Sequence, residues 1–269
     1  MTLGSLFAGI GGFELAATWA GIKPIWSNEI DPFCCQVLRK NFNHRIIEKD
    51  IREIGKENLE TVDIISGGFP CQPFSTAGKR KGRKDDRYLW PEMLRVISEL
   101  KPQWVIGENV AGLKSMENGK TLERILHDLE DQGYQTETYI IPACGVQAWH
   151  RRDRVWIIAH FNSDEKRVEQ GVEKRCELDP IHKLFHPDNR GKRDNRRIKK
   201  EIQELKGIQR CKDFGRRAIL GKRSDVSTPV LCRSYDGIPN GLDRLKSLGN
   251  AIVPQVAYEI FKAIKLDMT

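Results

Sequence analysis

From residue 3 to residue 160 the chain alternates short apolar runs with segments whose apolar residues recur every three or four positions. No other feature restricts the fold as much. The runs at 3–7, 24–27, 45–47, 62–66, 104–107, 138–142 and 154–160 read as strands, and 13–19, 32–42, 89–100 and 120–131 read as helices. In the third helical segment Leu89, Met93, Val96, Ile97 and Leu100 fall on one face. Alternation of this kind predicts an α/β protein, a doubly wound sheet with helices on both faces. The near-continuous apolar character of VDII and WVIG fits strands covered on both sides.

The pattern stops after His160. Between residues 161 and 225 stand 19 Lys and Arg against 12 Asp and Glu, a surplus of 7 that accounts for nearly all of the net charge of +8. RGKRDNRRIKK (190–200) is its peak. Such a block favours a polyanionic partner, because phosphate neutralisation releases counterions; a solvated linker is the other reading, and charge alone does not choose between them. Regular structure resumes in LGNAIVPQVAYEIFKAIKL, where Ile252, Val256, Ile260 and Ile264 make a helical stripe and Pro254 suits a first turn.

Composition narrows the class. With 39% hydrophobic and 30% charged residues in 269, the chain can bury a sizeable core. No apolar run approaches the roughly 20 residues of a membrane span. The opening MTLGSLFAGIGG lacks the basic region of a secretory signal, so a cytoplasmic location is expected. The seven cysteines (34, 35, 71, 144, 176, 211 and 232) include no CxxC pair. In a reducing compartment that argues against a disulfide frame and against a metal site.

Chemistry-bearing residues gather where strands end. LFAGIGG (6–12) follows the first strand and opens a helix; its glycines permit a sharp turn and close approach to a ligand. The spacing departs from the G-x-G-x-x-G of dinucleotide enzymes, and taken alone the motif also fits a plain tight turn. Glu29 in NEID ends the second strand, where an acid can accept from ribose hydroxyls, and Asp50 in EKDI follows the third. Glycine turn, Glu29 and Asp50 together describe a pocket for an adenosine-containing cofactor. In GGFPCQPFS (67–75), Cys71 stands at the end of the fourth strand between Pro70 and Pro73, whose restricted backbones aim the thiol. Most single cysteines are inert packing, but this setting favours a nucleophile. Glu108 and Asn109 emerge after WVIG, where partial desolvation should raise the carboxyl pKa. HRRDR (150–154) brings Arg151, Arg152 and Arg154 to the mouth of the last strand, suited to phosphate or another anion.

FAGIGG, SNE, GGFPCQPFS, ENV, HRRDR and LGNAIVPQVA occur in the order and approximate spacing of DNA cytosine-5 methyltransferases, and the short chain is similar to bacterial and phage members, including those of restriction-modification systems. The resemblance implies a Rossmann-like fold and an S-adenosylmethionine-dependent enzyme acting on double-stranded DNA. It divides the chain into a catalytic domain of residues 1–160 and 237–269 and a basic target-recognition region of residues 161–236. It assigns Cys71 as nucleophile, Glu108 as the group on cytosine N3 and the exocyclic amine, and Arg152 and Arg154 as arginines holding base and backbone. For the cofactor it implies Phe7, Gly9, Ile10 and Gly11 on the methionine side, Glu29 at the ribose, and Asp50 with Ile51 at adenine. Pro70, Leu89 and Asn250 make the remaining wall, Asn250 coming from a return helix that packs beside the first strand. It admits a cognate restriction endonuclease as partner, involves no membrane, and is met by a monomer. Ser5 stands where an acid is common in the family, Ile30 where an aromatic often stacks on adenine, and His150 where glutamine usually opens the arginine motif.

Three other readings compete. A tRNA cytosine methylase would share the architecture, and the basic segment does not separate the two polymers. A nucleic-acid-binding protein that had lost activity would have no use for Cys71, Glu108 and Arg154 together. A thiol oxidoreductase would want a resolving cysteine beside Cys71, and the sequence has none there.

Overall fold

Seven strands form a single sheet in a computed structural model that describes residues 1–70, 88–161 and 241–267. In chain order the strands are β1 (Thr2–Leu6), β2 (Lys23–Glu29), β3 (Arg45–Glu48), β4 (Ile64–Gly67), β5 (Trp104–Val110), β6 (Tyr134–Pro142) and β7 (Asp153–Phe161). The helices are α1 (Gly12–Trp19), α2 (Pro32–Asn41), α3 (Trp90–Leu100), α4 (Lys120–Glu130), α5 (Gly241–Asn250) and α6 (Pro254–Asp267). The sheet order is β3-β2-β1-β4-β5-β7-β6. The first five strands run parallel, and β7 lies antiparallel between β5 and β6. This is the Rossmann-like α/β sheet expected. The order reverses between β1 and β4, and in open sheets ligands bind outside the carboxyl ends of the strands at such a point.

Strand alternation fills two cores, one on each face. Ile65, Val105, Val155, Ile157 and Ala159 pack with Met93, Val96 and Ile97 of α3 and Ile125 and Leu129 of α4. Ile64, Trp104, Ile106, Trp156 and Ile158 pack on the other face with Phe13, Ala16 and Ala17 of α1 and Val256, Ile260 and Phe261 of α6. Successive residues of VDII and WVIG thus serve opposite faces, as their unbroken apolar character predicts.

Local chemistry sets several boundaries. Asp31 caps α2 by accepting from the backbone N–H groups of Phe33 and Cys34, and Pro32 fills the first turn. β6 starts four residues earlier than its apolar run, because Gln135, Thr136 and Glu137 extend an edge strand that has a solvated side. The LGNAIVPQ stretch needs correction: it is two helices, not one. Residues 251–253 are not helical, since Pro254 disfavours helical backbone before it, and α6 begins at the proline. Ile252 therefore leaves the predicted stripe and packs over Gly12, where an added Cβ would stand 2.5 Å from its side chain. α6 lies along α1, and the two share their core with Leu3 of β1. Cys71 and residues 162–236 of the basic region lie outside the described residues.

Candidate active site

The turn after β1 is held open by backbone geometry and locked by one carboxylate. Phe7, Gly9 and Gly11 have φ of +52°, +57° and +92°, a region costly for a side-chain-bearing residue and easy for glycine. Glu29 Oε2 accepts from Gly9 N at 2.7 Å, while Oε1 accepts from Ile30 N at 2.8 Å and Asp31 N at 2.9 Å. An added Cβ on Gly11 would meet the Phe42 ring at 2.3 Å, whereas one on Gly9 would meet nothing within 4 Å. The turn is therefore packed from below and free above. Asn28 ties the neighbouring strand end in place by donating to Ile47 O and Lys49 O.

Beside this turn, Asp50 caps the short 3-10 helix Ile51–Glu53 and pairs with Arg52 at 3.1 Å. Arg95 of α3 anchors that helix by donating to Ile51 O and Ile54 O, both at 2.9 Å. The Ile51 side chain is buried in the core, so only its backbone and Asp50 face the edge. Ile30 is 61% exposed next to Glu29. An open glycine turn, an acid, an exposed apolar side chain and a second acid on adjacent strand ends fit an adenosine-bearing ligand: sugar hydroxyls for one acid, a purine face for Ile30, an amine for the other.

The second half of the site joins β4, β5 and β7. Glu108 is 7% exposed, and its Oε1 lies 3.0 Å from Arg154 Nε. The antiparallel register pairs Glu108 with Trp156 and Val110 with Arg154, which makes Glu108 and Arg154 diagonal neighbours on one face. Burial pushes the Glu108 carboxyl up to about 7, against the opposing pull of Arg154 and Arg152. Gly68 leaves room for this group, because a Cβ there would stand 3.3 Å from Glu108 Oε2. Asn109, 5% exposed, donates to Phe69 O at 2.8 Å and so ties β5 to the loop that leads to Cys71.

Arg152 does something the sequence does not disclose. Its Nη2 donates to Gly249 O at 2.9 Å and to Ala251 O at 2.6 Å, clasping the connection between α5 and α6. Burial, then Arg154 beside it, hold its pKa below the usual guanidinium value. Asn250 sits between the two clasped carbonyls, exposed, on α5 rather than on the return helix. α5 is seated on the start of α2 by Lys246 Nζ and Asp31 Oδ2 at 2.9 Å and by Cys34 Sγ and Ser247 Oγ at 3.4 Å. Arg151 is exposed and pairs with Asp153 at 2.8 Å. Phe7, Ile10, Pro70 and Leu89 are half-buried, Leu89 standing just before α3.

Glu14 is a buried acid that motif reading passes over. It is fully buried beneath the glycine turn, where Ser27 Oγ donates to its Oε1 at 2.6 Å and Ser27 also contacts His44 Nε2 at 2.7 Å. The signal in the sequence is an acid in the inward stripe of α1, between Phe13 and Ala16.

Residues 1–217 match the family described as C-5 cytosine-specific DNA methylase. The chain belongs to this family. Among individual relatives, it is 43% identical over 161 residues to the Type II methyltransferase M.PspPI of Psychrobacter sp., covering 58% of this chain and 39% of that protein. It is 35% identical over 186 residues to M.HhaI of Haemophilus parahaemolyticus, covering 68% of this chain and 56% of the relative. The chain thus spans about half or less of the length of these curated relatives. The S. pombe Dnmt2 methyltransferase structure shares the fold, with a TM-score of 0.52 at 21% identity over 65% of this chain and 57% of that one. The two clusters described above lie along the edge where this chain carries its FAGIGG, SNE, ENV and HRRDR motifs.

Proposed function

We propose that the chain transfers a methyl group from S-adenosylmethionine to C5 of cytosine in double-stranded DNA. The observation that carries this reading is Glu108: a buried carboxyl, bridged to Arg154, that keeps its proton to about 7. A carboxyl half-protonated near neutrality can hydrogen-bond cytosine N3 and accept from the exocyclic amine, drawing electrons from the ring and making C6 electrophilic. Arg154 orients that carboxyl.

In this reading the Cys71 thiolate adds to C6, and the new C–S bond turns C5 into an enamine carbon. When bound, S-adenosylmethionine supplies the sulfonium methyl that such a carbon accepts. Loss of the C5 proton then drives the electron pair back into the ring and breaks the C–S bond, releasing Cys71. The base must leave the duplex to meet these groups. Glu29 and Asp50 hold the cofactor's ribose and adenine, with Ile51 beside them. Phe7, Gly9, Ile10 and Gly11 cradle its methionine end, and Pro70, Leu89 and Asn250 close the wall. Arg152 sets the position of Asn250 through its two carbonyl contacts. Residues 161–236 read the target through their basic cluster, and residues 1–160 with 237–269 perform the chemistry.

A single cytoplasmic copy acts, and the Type II naming of the relatives supports a cognate restriction endonuclease as the second component. Among the described residues no helix is long and apolar enough to cross a membrane. The test is transfer of labelled methyl to plasmid DNA and to tRNA, with Cys71→Ser alongside. Label on DNA, abolished in the variant, is expected; label on tRNA alone moves the substrate. A duplex carrying 5-fluorocytosine at a methylatable site should trap a denaturation-resistant adduct with the wild type only. No adduct there removes the covalent scheme.

A further inference from the structure

The connection from β6 to β7 carries the most exposed large apolar side chain among the described residues. Trp149 is 86% exposed, whereas Trp26, Trp90, Trp104 and Trp156 are all buried. It does not hang from a frayed segment. Ala143 N donates to Arg151 O at 2.7 Å and Ala148 N to Ala143 O at 3.2 Å, and a 3-10 turn, Ala143–Val146, fills the interior of the loop. The His150 ring meets the indole edge-on at 5.9 Å. A folded turn therefore presents the indole to solvent, forfeiting the burial that four other tryptophans take.

Between this turn and the α5–α6 connection lies an open cleft of about 410 Å³, lined in part by Gln147, Trp149, His150, Arg152, Leu248 and Gln255. Arg152 on one wall is close enough to Glu108 to act on its charge, and Arg154 bridges the same carboxyl. The cleft thus opens beside the carboxyl assigned to the target base. Around it, Arg151 on the same turn is ion-paired with Asp153 and Lys246 on α5 with Asp31, while Arg244 on α5 is exposed. The polar side chains of Gln147, His150 and Gln255 beside one projecting indole suit a nucleic-acid strand whose bases offer a free face.

We propose that Trp149 is a stacking platform for a nucleobase of the bound DNA beside the flipped target. The proposal rests on the DNA-methylation reading above. Bases inside an intact duplex have both faces covered, so the indole gains a partner only where the stack is opened. Its contribution belongs to opened sites and carries no charge.

The test compares wild type, Trp149→Ala and Trp149→Phe on a methylatable duplex and on the same duplex with the target cytosine replaced by an abasic site. Melting temperature checks that the variants are folded. Trp149→Ala should weaken binding to the abasic duplex about 5- to 100-fold, as lost base–aromatic stacking does. The slope of log affinity against log salt and the affinity for S-adenosylmethionine should stay unchanged, because no cation is removed. Trp149→Phe should recover most of the loss. Wild-type fluorescence should be quenched by DNA more than that of Trp149→Phe. Equal affinity of Trp149→Ala and wild type, while wild type binds and methylates DNA, overturns the platform and leaves the reaction standing. Wild type that neither binds nor methylates DNA overturns the reaction and the platform with it. Self-association of wild type, lost in Trp149→Ala at unchanged DNA affinity, assigns the indole to a protein contact instead and also overturns the platform.

Discussion

Arg154 Nε lies 3.0 Å from Glu108 Oε1, yet the carboxyl it touches is held at about 7. Two opposed effects meet there. Burial penalises the carboxylate, and the two guanidiniums of Arg154 and Arg152 favour it; burial wins. The outcome is a group able to give or hold a proton near neutral pH while its orientation stays fixed by an arginine.

The pH dependence of methylation should show this directly. If protonated Glu108 assists addition to C6, the turnover limb that depends on it declines as pH rises through about 7. Glu108→Gln should lower kcat by about 100- to 10,000-fold and lose that limb, since an amide does not titrate. Arg154→Met removes a cation that pulls the carboxyl down, so its residual activity should decline at higher pH than in wild type. The profile of kcat against pH checks both. A descending limb that stays in place in Arg154→Met contradicts the electrostatic link.

Much of this site was legible because apolar runs mark where strands end. SNE and ENV follow such runs, and Glu29 and Glu108 do stand at the carboxyl edge. Strand direction was not legible: nothing in 154–160 says that β7 runs antiparallel beside β5, and that register alone makes Glu108 and Arg154 diagonal neighbours. The stripe from Ile252 to Ile264 looked unbroken because helical spacing carries no record of what Pro254 does to the residues before it. Glu14 escaped because an acid on a helix usually faces water, and its partner Ser27 lies on another element.

Arg152 should act through the connection it clasps. Its two acceptors, Gly249 O and Ala251 O, lie 97 and 99 residues further along the chain, so no local pattern reveals them. Arg152→Ala leaves both carbonyls without this donor, and bonds from a charged group contribute about 1.5–3 kcal/mol each. We expect amide exchange to accelerate across residues 249–253 and the KM for S-adenosylmethionine to rise roughly 10-fold or more, as about 1.4 kcal/mol gives tenfold. Arg152→Lys should recover only part, lacking the planar fork. Unchanged exchange in that segment, with loss confined to DNA affinity, would mean that the guanidinium serves the substrate directly.

Glu14 gives a prediction about stability rather than rate. Burial is the largest influence on its carboxyl and raises its pKa above the ordinary 4.5, with the hydroxyls of Ser27 and Ser5 pulling the other way. The folded chain therefore holds this proton more tightly than the unfolded chain does. Stability linked to Glu14 is fully present below the unfolded value and is lost as pH rises toward the folded one. Glutamine is neutral throughout and can still accept from Ser27, so Glu14→Gln should abolish this component alone. Near pH 4.5 the variant and wild type should melt within a degree or two of each other; by pH 8 the variant should melt higher. The gap should widen as pH rises between these values, in the direction set by burial of the carboxyl. The other groups titrate in both proteins, so the difference between the two melting curves across pH isolates this one carboxyl. A gap that stays constant from pH 5 to 8 would show that Glu14 keeps its charge beneath the glycine turn.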